Sequence, residues 1–417
     1  MSSSRSLRPW IIAGITFLAI IAAAGFRSTT SALFMPIESE FGWSRDATSL
    51  AVSVNLLFYG LTAPFAAVLM DRFSIRKVAT AALLLVAIGS GLTPTMTQSW
   101  QLVLYWGVLV GVGVGCTALV FGSMVANRWF VTQRGLVTGI FSASYATGQL
   151  VFLPLITHLV MTVGWRWGSM VTAIFAGALA PLFWLIFRDS PSAAKTIAWG
   201  QTSPDQIPPI QANRTFASSL KVLVRASRSL QFWILAGTFA VCGWTTNGLI
   251  GAHFIPAAHD HGMPADTAAG LLATVGIFDL VGTIASGWLT DKIDSRWLLV
   301  FYYGLRGLAL FSVPFVLGPE VQPPLYFFII FYGLDWVATV PPTVQLCREY
   351  FGLEDSSIVY GWVFASHMVG AAIAAWFAGM IRETQGSYTI AWVTAAVLCL
   401  IAAGSIFALR SKKPRSK

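Results

Sequence analysis

Charge is what this sequence has least of. Asp, Glu, Lys and Arg together make up 10% of its 417 residues, against about 25% in a soluble domain. A soluble protein of this length could not stay dispersed with so little charge, so that class is excluded. Apolar stretches of roughly 20 residues, the length that spans a bilayer core as helix, follow one another almost without pause. Twelve spans are expected, near 10–33, 48–70, 78–97, 101–125, 135–160, 166–187, 230–254, 267–289, 297–317, 324–347, 357–380 and 388–409. These runs lack the alternating period of a barrel strand, which leaves helices as the way to satisfy the backbone in lipid.

Other absences narrow the function. There is no Gly-x-x-x-x-Gly-Lys loop, so ATP cannot drive the protein directly. No cluster of catalytic groups or metal ligands is visible, so neither an enzyme nor a cofactor is expected. The four cysteines (Cys116, Cys242, Cys347, Cys399) lie in or at the ends of predicted helices without metal spacing, and read as small packing residues. No small-residue cleavage site follows the first apolar run, which therefore reads as a full span rather than a leader. Acids are scarcer than bases, and the net charge of +9 invites a nucleic-acid reading. The distribution of the bases argues instead for a bilayer. With the N-terminus inside, 21 of the 26 Lys and Arg fall in cytoplasmic loops and termini. Only Arg45, Arg166 and Arg382 lie outside, and Arg27 and Arg306 fall within spans. This is the positive-inside asymmetry, and it places both termini in the cytoplasm.

What the chain does have is a repeat. Residues 27–77 recur at 247–297 with a constant offset: Ala32, Phe34, Pro36, Gly42, Asp71 and Arg76 match Ala252, Phe254, Pro256, Gly262, Asp291 and Arg296. With small slips, Trp10-Ile-Ile-Ala-Gly14 returns as Trp233-Ile-Leu-Ala-Gly237. Likewise Gly139-x-x-x-Ala143-Ser144-x-x-x-Gly148 returns as Gly361-x-x-x-Ala365-Ser366-x-x-x-Gly370. One module is used twice, which is how many transporters allow two similar bundles to rock about a midplane site. The expected organisation is an all-α membrane protein with an N-terminal six-helix bundle (1–187), a cytoplasmic linker (188–229) and a C-terminal six-helix bundle (230–417) with a basic tail. The linker, with Pro191, Pro204, Pro208 and Pro209, reads as partly flexible.

The loops after the second span of each half carry a shared motif. Ala67-x-x-x-Asp71-Arg72-x-x-x-Arg76-Lys77 and Gly287-x-x-x-Asp291-Lys292-x-x-x-Arg296 each combine a small residue for close helix packing with charges that clasp helix ends. They resemble the loop motif of the major facilitator superfamily, and the resemblance covers essentially the whole chain. A narrower likeness lies in Glu40-Phe41-Gly42-Trp43-Ser44-Arg45 and in Trp129-Phe-x-x-x-Arg134-Gly135-Leu136-x-x-Gly139. Both resemble the monocarboxylate and oxalate/formate branch. That branch implies symport or exchange of small organic anions, often with a proton, through a cavity lined by helices 1, 4, 7 and 10. The drug/proton antiporter branch fits less well, because helix 5 lacks its Gly-Pro pair and helix 4 lacks its intramembrane Arg. One departure stands out. Animal monocarboxylate transporters look like Asp-x-x-x-Arg in helix 8, whereas here Asp279 is followed by Thr283, so an anion-binding Arg must come from elsewhere.

Four charges sit inside predicted spans: Arg27, Asp279, Arg306 and Asp335. Each costs about 2.5–3.5 kcal/mol at mid-helix on insertion scales, so each needs a partner or a wet cavity. Arg27, whose repeat equivalent is Asn247, reads as the substrate-carboxylate anchor, since a guanidinium binds two oxygens at once. Arg306 reads as a structural partner of Asp335 or Asp279. Asp279, whose repeat equivalent is Tyr59, reads either as a proton carrier with Asp335 as the alternative, or as half of a fixed ion pair. His367, matched to Tyr145, either titrates or packs by hydrogen bonding. Tyr59, Tyr145, Asn247, Tyr332 and His367 complete the candidate substrate-binding set. The expected partners are a small organic anion, a proton and the bilayer, with no nucleic acid, the protein acting as a monomer in a bacterial inner membrane. An exporter of amphipathic molecules and a transporter-fold sensor remain alternative readings.

Overall fold

In the computed structural model of this chain, residues 7–117, 119–202, 216–290 and 292–409 are described. Their architecture is helical throughout. The first half contains α1 (Arg8–Phe41), α2 (Arg45–Phe73), α3 (Ile75–Leu92), α4 (Ser99–Trp129), α5 (Arg134–Val163) and α6 (Trp165–Ile186). A linker helix, Phe216–Ala226, precedes the second half. That half contains α7 (Leu230–Asp260), α8 (Ala265–Thr290), α9 (Ser295–Val316), α10 (Pro323–Gly352), α11 (Ile358–Gln385) and α12 (Thr389–Ile406). Over their described residues, eleven of the twelve are long and apolar enough to cross a bilayer, and α5 contributes the shorter apolar run Val151–Val163. Side-chain caps mark where the chain re-enters helix. Ser74 Oγ accepts from Lys77 N, Ser229 Oγ from Phe232 N, and Asp294 Oδ1 from Arg296 N, each satisfying a first-turn amide with no partner inside the helix.

The sequence repeat becomes a packing repeat. In the first half α1 lies on α5, α3 on α6, and α2 on α4; in the second, α7 lies on α11, α9 on α12, and α8 on α10. The matched Gly-x-x-x-Ala-Ser-x-x-x-Gly segments do the same job in both. A Cβ on Gly148 would stand 2.6 Å from Ala24 Cβ of α1, and one on Gly370 would run into the Ala240 carbonyl of α7. Small residues let the backbones approach, and close packing is what holds helices together where lipid is as apolar as the side chains. The loop motif also works in parallel. Asp71 pairs with Arg128 at 2.6 Å, tying α2 to α4. Arg76 Nε donates to Trp184 O at 2.6 Å and its guanidinium lies 4.1 Å from that indole, tying α3 to α6. Arg296 Nη1 donates to Leu409 O at 2.8 Å, tying α9 to the end of α12. Arg72 lies over the Phe73 ring. Asp291 is outside the described residues.

The halves meet along α2 with α11, α5 with α8, and α1 with α7. The described parts of the linker are bound to the bundles rather than loose. Trp199 N donates to Trp129 O at 2.9 Å and Val131 N to Trp199 O at 2.8 Å, while Trp10 packs edge-on against both Phe130 and Trp199. The linker helix sits on α11 and α2, with Trp362 Nε1 donating to Ser219 O at 3.3 Å.

Close approach of α7 and α11 predicts an asymmetric glycine response. Gly370→Ala should destabilise the detergent-solubilised protein by about 1–3 kcal/mol through overpacking. Gly237→Ala, on the same helix pair but with nothing within 4 Å of its Cβ, should be neutral or mildly stabilising. Thermal unfolding of the two variants side by side checks this; equal melting points would show that α7 and α11 are not in contact at Gly370.

Candidate functional site

The site is built around a break in α10. Pro341 and Pro342 follow Val340, and neither can donate a backbone hydrogen bond to the carbonyl four residues back. The helix accordingly opens into turns over residues 336–339 before resuming at Val340. Backbone groups released within a membrane must be satisfied by protein. Side chains from two neighbouring helices, α8 and α9, do this, and α7 adds a side-chain contact. Val337 N donates to Asp279 Oδ1 of α8 at 3.0 Å, and Ala338 O accepts from Ser286 Oγ of α8 at 2.6 Å. The carbonyls of Asp335 and Trp336 accept from Nη2 of Arg306 on α9. Thr339 Oγ1 lies 3.2 Å from Cys242 Sγ of α7.

Arg306 is fully buried and uses its whole donor fork. Nε donates to Asp335 Oδ2 at 2.5 Å, and Nη1 to Cys242 Sγ at 3.1 Å and Thr245 Oγ1 at 3.3 Å. The rings of Tyr303 and Tyr332 lie 5.8 and 5.9 Å from the guanidinium carbon, within cation–π range. So Arg306 pairs with Asp335, not with Asp279. Asp335 Oδ1 is buried and has no hydrogen-bond partner among the described residues. Asp279 is half-buried and accepts from Thr283 Oγ1 at 3.0 Å. Thr283 thus serves the aspartate as a neutral donor.

A second cluster lies where α2, α7 and α11 meet. Residues 244–250 of α7 form a π-helical turn, a local widening frequent at functional positions. Asn247 within it places Nδ2 3.0 Å from His367 Nε2 of α11. The His367 ring stacks parallel to Phe364 at 5.8 Å, and Tyr59 of α2 meets Phe364 edge-on at 5.7 Å. Tyr59, Asn247 and His367 are therefore brought together. Tyr332 is not among them: it is fully buried in the Arg306 cluster and donates its hydroxyl to Thr245 O at 2.9 Å. The two clusters share the π turn, through Thr245 on one side and Asn247 on the other. The side chains of Arg27 and Tyr145 are outside the described set.

A third feature escaped the sequence reading. At the end of the bundle away from the chain termini, Arg45 at the start of α2 donates Nε to both Glu38 carboxylate oxygens, at 2.7 and 2.8 Å, and Nη1 to Tyr388 Oη at 2.8 Å. Arg45 N donates to Glu383 Oε2 at 3.1 Å. Tyr388 Oη lies 3.1 Å from Nδ1 of the buried His253, whose Nε2 lies 2.8 Å from Ala375 O. Phe34 packs edge-on against His253. This network joins α1 and α2 of the first half to α7, α11 and the start of α12 in the second. Arg45 belonged to a recognised motif. His253 and Tyr388 carried no signal beyond being polar groups on apolar helices.

Comparison with known proteins agrees with this architecture. The family model described as Major Facilitator Superfamily matches residues 15–361 and, in a second alignment, 254–417. An uncharacterized MFS-type transporter of Bacillus subtilis (strain 168), YcxA, is 26% identical over 387 residues, spanning 91% of this chain and 90% of that protein. Monocarboxylate transporter 12 of Homo sapiens is 23% identical over 415 residues, spanning 92% of this chain and 77% of that protein. The fold is also that of the xylose transporter XylE from E. coli in a partially occluded inward open conformation, with a TM-score of 0.70 at 14% identity over 97% of this chain and 98% of that one. A duplicated six-helix unit matched by one family model across both copies settles the assignment: this chain belongs to the major facilitator superfamily of membrane transporters.

Proposed function

We propose that this transporter moves a small organic anion of monocarboxylate type by alternating access, coupled to a proton. The observation that carries the reading is the opened segment of α10. Two intramembrane acids border it, one with an unbonded buried oxygen (Asp335) and one holding a released backbone amide (Asp279). Ionisable groups inside a membrane mark substrate and proton pathways, and broken helices mark transporter binding sites. The likeness to a protein named monocarboxylate transporter 12 and the two motif segments support an anionic substrate. Arg27 is the proposed carboxylate anchor, with Tyr59, Tyr145, Asn247 and His367 as the other proposed substrate-binding residues. Tyr332 acts behind it, holding the π turn of α7. The bias of Lys and Arg supports cytoplasmic termini in a bacterial inner membrane, so the Arg45–Tyr388 network is the outer gate, here closed. A single copy contains the whole site, which supports a monomeric unit.

Three outcomes test the reading in proteoliposomes, after a panel of monocarboxylates, dicarboxylates and amphipathic cations has given a substrate. Arg27→Lys should weaken uptake and Arg27→Ala nearly abolish it, since truncating one partner of a buried charge pair costs about 2–5 kcal/mol, or tens- to thousands-fold. Unchanged uptake by the Ala variant removes Arg27 from the site.

Asp279→Asn should keep exchange between preloaded vesicles while losing accumulation driven by a pH gradient, because an Asn oxygen still accepts from Val337 N. Asp335→Asn should instead lower thermal stability by about 3–5 kcal/mol, as it leaves the Arg306 charge uncompensated. If Asp335→Asn folds and uncouples while Asp279→Asn does neither, the roles are exchanged; if both variants still concentrate substrate, coupling through these acids is wrong.

Tyr388→Phe should loosen the outer gate by removing a hydroxyl bonded to a charged group, worth about 1.5–3 kcal/mol. A cysteine at Ser53, about two turns beneath the gate on α2, should then react with a membrane-impermeant reagent applied outside about tenfold faster or more, by the usual conversion of 1.4 kcal/mol per tenfold. Equal rates in the two backgrounds would show that the network does not hold the gate.

A further inference from the structure

The linker helix Phe216–Ala226 has two faces, and among the described residues only one is covered by protein. Ser219, Val222 and Ala226, spaced three and four apart, are buried on the bundle. The opposite face presents Leu220 at 45% and Val224 at 55% exposure, with Lys221, Arg225 and Arg228 exposed alongside. The apolar strip continues onto the start of α7 through Leu230 and Trp233, both about three-fifths exposed (61% and 60%). The Trp233 indole donates to Ser227 O at 2.7 Å. Leucine and tryptophan at the mouth of a spanning helix set this strip at the level of the headgroups. The charge is one-sided as well. Between Asp205 and Asp260 the chain has no acid, but it has Arg214, Lys221, Arg225 and Arg228. Of the three on or beside the helix, Arg225 is paired with Asp355 at 2.9 Å. An apolar strip edged by cations, on a helix at the membrane surface, is complementary to an acidic lipid leaflet.

We propose that the linker helix is an interfacial anchor seated on anionic lipid headgroups of the leaflet at the termini end, through Leu220 and Val224 in the acyl boundary and Lys221 and Arg228 on the headgroups. Because the same helix packs on α2 of the first half and α11 of the second, the leaflet is tied to the seam across which the halves move. Acidic lipid then sets how readily that seam opens. This inference rests on the bilayer setting alone and stands or falls separately from the choice of substrate and coupling ion.

The test uses the full-length protein with single cysteines, Leu220→Cys and in a second variant Val224→Cys, labelled with a polarity-sensitive fluorophore. The four native cysteines are buried, and a protein without the added cysteine corrects for any background. In vesicles of phosphatidylcholine with a quarter phosphatidylglycerol, both probes should emit to the blue and be quenched by nitroxide lipids labelled near the headgroup. In phosphatidylcholine alone that quenching should fall. Lys221→Gln with Arg228→Gln should reduce the phosphatidylglycerol preference by about fivefold for each cation removed. Quenching by aqueous iodide, with none from nitroxide lipid, overturns the proposal by showing a water-exposed face. Lipid quenching that is equal in both compositions and indifferent to the two substitutions overturns the acidic-lipid assignment. Protection that arises only when a second protein is added makes the face a protein docking site and overturns it too.

Discussion

The rest of this structure depends on the need to satisfy backbone groups that two prolines release inside a membrane. Pro341 and Pro342 deprive α10 of two helical hydrogen bonds in a place where water is not the ready substitute it is for a soluble helix. The neighbours are organised around that demand. Arg306 caps the open carbonyls, Asp279 takes the freed Val337 amide, and Ser286 serves Ala338 O. A guanidinium suits the first task because its five donors lie in a fixed fork and can bind carbonyls, a carboxylate and a hydroxyl together. Asp335 neutralises it, which makes an otherwise prohibitive buried charge tolerable.

This arrangement links the acids to the Asn247–His367 pair. Arg306 and Tyr332 both hold Thr245, and two residues on, Asn247 reaches His367. The π turn of α7 is thus held on one side by the charge cluster and on the other offers the Asn247 amide to His367. A change of charge at Asp335 or Asp279 alters the same contacts that position Asn247. Under the proposed reading, this is a short physical route by which protonation and substrate binding influence each other. At the far end, one arginine of the first half spans to a tyrosine and glutamate of the second, and a buried histidine supports the tyrosine. Under the proposed reading, this contact is made in one state and broken in the other, as a gate between rocking halves requires.

Much of the fold was legible in the sequence because the bilayer imposes its dimensions on every span. Helix length, the positive-charge bias and the 220-residue repeat each register that constraint residue by residue, so twelve helices in two like halves could be read directly. The repeat even foretold equivalent contacts, as Arg76 and Arg296 each fasten one helix start to the far end of its half. The four intramembrane charges were also conspicuous, since each is costly where it stands. What they bond to was not. Whether Arg306 served Asp335 or Asp279 depended on the opening of α10 and on which carbonyls then faced α9. The proximity of Tyr332 to that pair, rather than to His367, followed from the same geometry.

The outer network was the least legible part. Arg45 stood out only as part of a motif, with no partner indicated, Glu38 carried no signal of its own, and Tyr388 lies 343 residues from the arginine it bonds. Local composition is blind to a contact of that kind, because it exists only once both halves are assembled. By itself, then, the sequence determined that this chain crosses a membrane many times, in two related halves, with a few charges too expensive to be there without a role. Only the tertiary structure decided how those charges are paired, which backbone groups they serve and where the halves are joined. Burial and periodicity act on each residue alone, whereas hydrogen bonds need two specific groups brought together by the fold.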